Sequence, residues 1–183
     1  MWRYKLQSSL SKYLTPIVRE YFEICLFRKR PQDLPAAPSL LCLSVVVYAL
    51  MSAVMAYPSQ TIVKAVASGF TETIILLAIS YLFLYLRSVP QRWLQVCTAL
   101  AGTGIIFSLI VIPLYYLRFY GSIGPSPQGL ILSLIILIWF WNIAVMSHIL
   151  KNALSSSYLL ATTATLCYIA IIMMTLQQLF PLS

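Results

Sequence analysis

Five apolar stretches follow one another along this chain, at 39–57, 62–86, 93–117, 129–150 and 155–180. Each supplies the roughly 20 residues that a helix needs to cross about 30 Å of hydrocarbon. The first, third and fifth carry no Asp, Glu, Lys or Arg, and the second holds Lys64 and Glu72. A transmembrane β-barrel would show short segments of alternating polarity, and these runs do not alternate. The expected fold is therefore all-α: a polytopic transmembrane helical bundle of five spans. Hydrophobic residues make up 61% of the chain and charged ones 9%, with a mean hydropathy of +0.88, which leaves no room for a separate soluble domain. The chain divides into an arm, 1–38, and the bundle, 39–183.

The connections carry the punctuation of loops. Pro31, Pro35 and Pro38 precede the first span, Pro58-Ser59-Gln60 follows it, and Ser88-Val89-Pro90 separates the second from the third. The link 118–128 holds Gly121, Gly124, Pro125 and Pro127 and reads as irregular, and Lys151-Asn152-Ala153-Leu154 reads as a short hinge. Cations sort to alternate sides of this threading. Arg3, Lys5, Lys12, Arg19, Arg28, Lys29, Arg30, Arg87, Arg92 and Lys151 fall on the side of the N-terminus, and only Lys64 and Arg118 on the other. The positive-inside bias then puts the N-terminus in the cytoplasm and the C-terminus outside. The same sorting accounts for the net charge of +8 without nucleic acid. Val54-Met55-Ala56 resembles a signal-peptidase site, but 38 residues precede the first span, so that span is expected to remain.

Within the arm, 8–27 has helical periodicity. Leu10, Tyr13, Leu14, Ile17, Val18, Tyr21, Ile24 and Cys25 recur at three- and four-residue spacing, with Lys12, Arg19, Glu20 and Glu23 mostly opposite. Thr15-Pro16 suits a helix start. Such an amphipathic helix is expected to lie in the membrane interface, with the basic cluster Arg28, Lys29 and Arg30 beside anionic headgroups. It is expected to flank and orient the first span; the alternative reading is a docking surface for a cytoplasmic partner.

Lipid tails are as apolar as leucine, so the spans must associate through close packing and polar contacts. Small residues recur at helical spacing at Ala49, Ala53 and Ala56, at Cys97, Ala101, Gly104 and Ser108, and at Ser157, Ala161 and Thr165. The Leu/Ile-rich run 130–138 is expected to face lipid. Glu72 is the one acid inside a span, about 9 Å along its helix counting inward from Val66. A carboxylate there is costly unless protonated, paired or hydrated. Arg118, at the outer end of the third span, is the better-placed ion-pair partner, because Lys64 is rotated to snorkel outward. Asn142 falls near the middle of the fourth span, where an amide usually bonds to a neighbouring helix. Together Glu72, Arg118 and Asn142 form the candidate intramembrane polar site. His148, near the inner end, reads as a solvated residue.

No catalytic group set is present. One histidine and one buried acid do not make a metal site, and no nucleophile elbow, P-loop or dinucleotide glycine pattern occurs. The four cysteines, Cys25, Cys42, Cys97 and Cys167, form no paired spacing and read as packing residues. The chain is expected to be no enzyme and to need no cofactor.

Several stretches resemble the Yip1-like family of five-span membrane proteins: the run from Phe27 through Arg28-Lys29-Arg30-Pro31-Gln32-Asp33-Leu34 to Pro35, Ala101-Gly102-Thr103-Gly104 through Ile112-Pro113-Leu114, and Trp139-Phe140-Trp141-Asn142-Ile143-Ala144. The likeness is to short bacterial members and implies a cytoplasmic arm, five closely spaced spans, an external C-terminus and the inner membrane. The DLYGP-type segment of eukaryotic members is absent from the arm, and a Tyr-Gly pair occurs only at Tyr120-Gly121, so the Rab contact of trafficking members is not expected. The expected function is a non-catalytic scaffold or accessory factor for a membrane-protein partner or a second copy. The alternative is a small transporter or channel subunit using Glu72.

Overall fold

A computed structural model describes residues 16–121 and 125–180. Its helices are α1 (16–25), α2 (Pro38–Ala56), α3 (Ile62–Leu86), α4 (Trp93–Tyr120), α5 (Pro125–Leu154) and α6 (Tyr158–Leu179). Short 3-10 turns at Pro31–Asp33, Tyr57–Ser59 and Pro90–Arg92 punctuate the chain, and no strand occurs among the described residues. The last five helices are long and apolar enough to cross a membrane. The protein is an integral membrane protein of five helical spans.

Span positions follow the apolar runs, and their ends move for local reasons. The fourth span reaches Leu154, so Lys151-Asn152-Ala153-Leu154 is helix and not hinge. Ala153 and Leu154 are buried, and Asn152 bonds back to the His148 carbonyl at 2.8 Å, which extends the helix by a turn. The turn is Ser155–Ser157 instead. Ser155 takes φ 48°, and the Ser156 N–H closes onto the Lys151 carbonyl at 3.1 Å, a left-handed helix end. The link after Arg118 is likewise shorter than its glycines and prolines suggest. α4 continues to Tyr120 and carries Pro113 inside it, and α5 starts at Pro125.

α4 is the central helix: 61% of its spanning window is buried inside the protein, against at most 33% for any other span. Small residues let its neighbours close in. A Cβ placed on Gly69 of α3 would stand 2.5 Å from the Ala49 carbonyl oxygen and 2.8 Å from the Ala53 nitrogen, so α2 and α3 touch backbone to backbone. Ala161 and Thr165 are buried on α6, where Ser147 of α5 meets the Thr165 hydroxyl at 3.3 Å. As expected, most of 130–138 is exposed at the protein surface, with Ile131 the buried exception.

The arm departs from expectation. Its residues 8–15 lie outside those described, and the described part of α1 runs from Pro16. α1 enters the bundle instead of lying across its end. Tyr21, Ile24 and Cys25 belong to the same buried cluster as Val96, Phe107 and Ile149. The Trp141 indole donates to the Cys25 carbonyl at 3.1 Å, and Trp141 stands about 20 Å from the end of α5. What admits the arm is Gly102, against which the Tyr21 ring packs so closely that a Cβ would meet it at 2.5 Å. Val18, Phe22 and Leu26 stay exposed beside that face, so the apolar arc of α1 is wider than the part the bundle covers. It ends at Phe27, left-handed at φ 61°, whose ring packs edge-on against His148 at 5.3 Å.

Candidate functional site

Glu72 projects from α3 toward α2, where Tyr48 and Ser52 stand one helical turn apart. The Tyr48 hydroxyl donates to Glu72 Oε1 at 2.6 Å, and the Ser52 hydroxyl donates to Oε2. Each carboxylate oxygen therefore has a donor from the neighbouring helix. The contact at Gly69, one turn away, brings the two backbones close enough for these short side chains to reach. Tyr168, buried on α6, meets the Tyr48 hydroxyl from the far side, so the cluster ties α2, α3 and α6. Hydroxyl donors offset part of the cost of holding a carboxylate at this depth.

Arg118 does not take part. It is exposed in the last turn of α4 and forms no salt bridge among the described residues. The expected Glu72–Arg118 pair is replaced by hydroxyls, which approach more closely than a long cation from a third helix. Lys64 is exposed, as its outward rotation suggested. Asn142 is half-buried near the middle of α5, and its side chain makes no hydrogen bond with any described residue. Glu72, Arg118 and Asn142 thus form no single site.

His148 is buried, not solvated. Its Nε2 lies 3.2 Å from the Lys29 carbonyl, Asn152 bonds beside it, and Phe27 covers its face. It clasps the arm to α5.

The basic cluster also separates, each cation going its own way. Lys29 lies 3.5 Å from Glu20 and 3.4 Å from Glu23, while Glu23 also takes a 3.0 Å bond from Arg19. The Arg19 bond, with Lys29 adding to it against some desolvation, holds the Glu23 carboxyl below its ordinary value. Desolvation pulls Lys29 down, but the Glu23 and Glu20 carboxylates outweigh it and leave its pKa raised. Burial in the bundle pushes the Cys25 thiol up to about 12. Arg28 is exposed and in no salt bridge among the described residues.

Arg30 joins a cavity of about 400 Å³ at this end of the bundle, with Arg92 from the start of α4 and Lys151 from the last turn of α5. The loop carrying Arg30 is pinned in place. Gln95 donates to the Gln32 and Leu34 carbonyls at 3.1 and 2.8 Å, and Gln32 donates to the Asn152 carbonyl at 2.6 Å. Sequence reasoning missed both groupings. Tyr48 and Ser52 carried a usable signal, two hydroxyls at i, i+4 on the helix preceding the buried acid. The cavity carried none, because its cations come from three places about sixty residues apart in the chain.

Fold and sites define the class as a five-span helical membrane protein with one intramembrane carboxylate and a basic cavity at one end. No protein-family model, curated protein or solved structure matches the chain.

Proposed function

We propose that this protein is a non-catalytic scaffold or accessory factor for a membrane partner, on the Yip1-like plan. It would sit in a bacterial inner membrane with α1 on the cytoplasmic side and the C-terminus outside. The positive-inside count supports that orientation, since Arg19, Arg28, Lys29, Arg30, Arg87, Arg92 and Lys151 share one end and Lys64 and Arg118 the other. The short loops and the resemblance of the spans favour the bacterial membrane.

The observation that carries the reading is the state of Glu72. Both oxygens are occupied by hydroxyls of the adjoining helix, so the acid serves as a tie within the bundle. Asn142 gives the partner a place: a half-buried amide near mid-span, with no acceptor or donor among the described residues, favours a polar group from another helix. A partner-binding role predicts that Asn142→Leu weakens crosslinking to a membrane protein or a second copy, while Glu72→Gln leaves the complex intact.

The run of Tyr168, Tyr48 and Glu72 across three helices favours one other reading, a proton-coupled transporter subunit. Proton flux measured in proteoliposomes separates the two. Flux that is abolished by Glu72→Gln in a normally folded protein would overturn the scaffold.

A further inference from the structure

The cavity at the α1 end is used neither by the packing of the spans nor by the proposed function. Arg30, Arg92 and Lys151 surround it, against one carboxylate, Asp33. None of the three cations is in a salt bridge among the described residues. Like charges held around one space repel, and an anion entering that space relieves the repulsion.

The walls hold Arg92 and Lys151 in place without neutralising them. Arg92 donates through Nη1 to the Ala153 carbonyl and to Ser155 Oγ, each at 3.0 Å, which spans the turn between α5 and α6. The Lys151 ammonium sits 3.7 Å from the centroid of the Tyr158 ring. Arg30 is exposed, and its backbone N–H is held by the Asp33 carboxylate at 2.8 Å. Asp33 is thus committed to the loop that presents Arg30.

Two further features point to a ligand carrying oxygen atoms. Gln32, on the cavity wall, keeps its Oε1 buried and without a donor among the described residues. Ser155 holds φ 48° at a helix end where glycine is the usual residue. Like Phe27 and Ser88 it closes a helix, and its turn sets a hydroxyl on the cavity wall, next to that of Ser156. Cations and hydroxyls suit phosphate oxygens, and the free amide oxygen suits a ligand hydroxyl. The volume of about 400 Å³ falls in the range of small-molecule sites.

We propose that this cavity binds a phosphate-bearing anion, either the headgroup of an anionic phospholipid or a free phosphate compound of the same chemistry. The inference does not depend on the scaffold reading, because the site needs no partner protein.

Native mass spectrometry of the full chain tests it, with protein released from nanodiscs of phosphatidylglycerol mixed with phosphatidylcholine. Parallel titrations of delipidated protein in detergent use inorganic phosphate and glycerol 3-phosphate. A one-to-one phosphatidylglycerol adduct that millimolar phosphate does not displace identifies a lipid headgroup. Saturable binding of glycerol 3-phosphate or phosphate to the delipidated protein identifies the soluble source. In either case Arg30→Gln with Lys151→Gln should weaken binding about twenty-five-fold, from about fivefold per cation removed. Arg28→Gln, on the same end but outside the cavity, should leave it unchanged. Arg92 is spared because it also ties the α5–α6 turn. The proposal is overturned if neither ligand binds, or if the Arg28 variant loses as much as the double variant.

Discussion

At Glu72 one charge lies among apolar helices and both of its oxygens receive hydroxyl bonds from the next helix. At the α1 end three cations line one cavity, and none of them has an ion-pair partner among the described residues. The difference follows from the solvent each region meets. Inside hydrocarbon an unsatisfied charge costs several kcal/mol, so the fold must satisfy it locally. At the end of a bundle water can support unpaired cations, and the fold is free to leave them open to a ligand. An occupied polar group therefore reads as architecture here, and an open set of like charges reads as a binding surface.

The largest expected effect comes from separating α2 and α3, on which the closed region depends. Gly69→Val puts side-chain atoms against the backbone of Ala49 and Ala53, which cannot rotate away. Overpacking of this kind costs about 1–3 kcal/mol, and the upper end applies because backbone blocks the way. The Glu72 bonds should be lost with it. Gly129→Ala is the matched control, since a Cβ there meets nothing within 4 Å. Thermal unfolding in detergent checks both, and equal stability of the two variants would mean that the seam is looser than described.

Next in size is the hydroxyl–carboxylate tie itself. A double-mutant cycle with Tyr48→Phe and Glu72→Gln should give a coupling of up to about 1.7 kcal/mol, the upper range for hydrogen bonds within membranes. Removing Arg30 alone should change stability by less than about 0.5 kcal/mol. Comparable effects at the two places would erase the distinction between a closed and an open region.

The five spans were legible in the sequence because length and hydropathy alone decide what can cross a bilayer, and their ends moved by only a few residues. The seating of the arm was not legible. Tyr21, Ile24 and Cys25 show an apolar face equally suited to lipid or to protein, and the choice is made by Gly102, eighty residues away. At Glu72 the structure supplies partners other than the one expected. Charge suggested Arg118, but Tyr48 and Ser52 sit on the helix that Gly69 brings into contact. The basic run 28–30 misled in another way. Adjacent positions on a turn point in different directions, so Lys29 meets Glu20 and Glu23 while Arg30 meets the cavity.

The smallest expected effect concerns the arm, where charges are paired yet lie near water, between the two extremes. The Glu23 carboxyl is held low in the folded state, so its contribution is fully present above the ordinary carboxylate value and lost as pH falls through the lowered one. Lys29 is held high, so its contribution is present below the ordinary lysine value and lost only as pH rises through the raised one. Across the neutral range the clamp is constant. Hydrogen exchange over 16–30, corrected for intrinsic rates, should therefore rise as pH falls below the ordinary carboxylate value of about 4.3 and through the lowered Glu23 one, while the spans stay protected. Cys25 supplies a second reading at fixed pH. Its thiol is buried and shifted up to about 12, so it should resist N-ethylmaleimide at neutral pH, and Lys29→Met should let it react faster by loosening α1. Rapid labelling of Cys25 in the unaltered protein would place the arm outside the bundle, and with it the loop that carries Arg30 into the cavity.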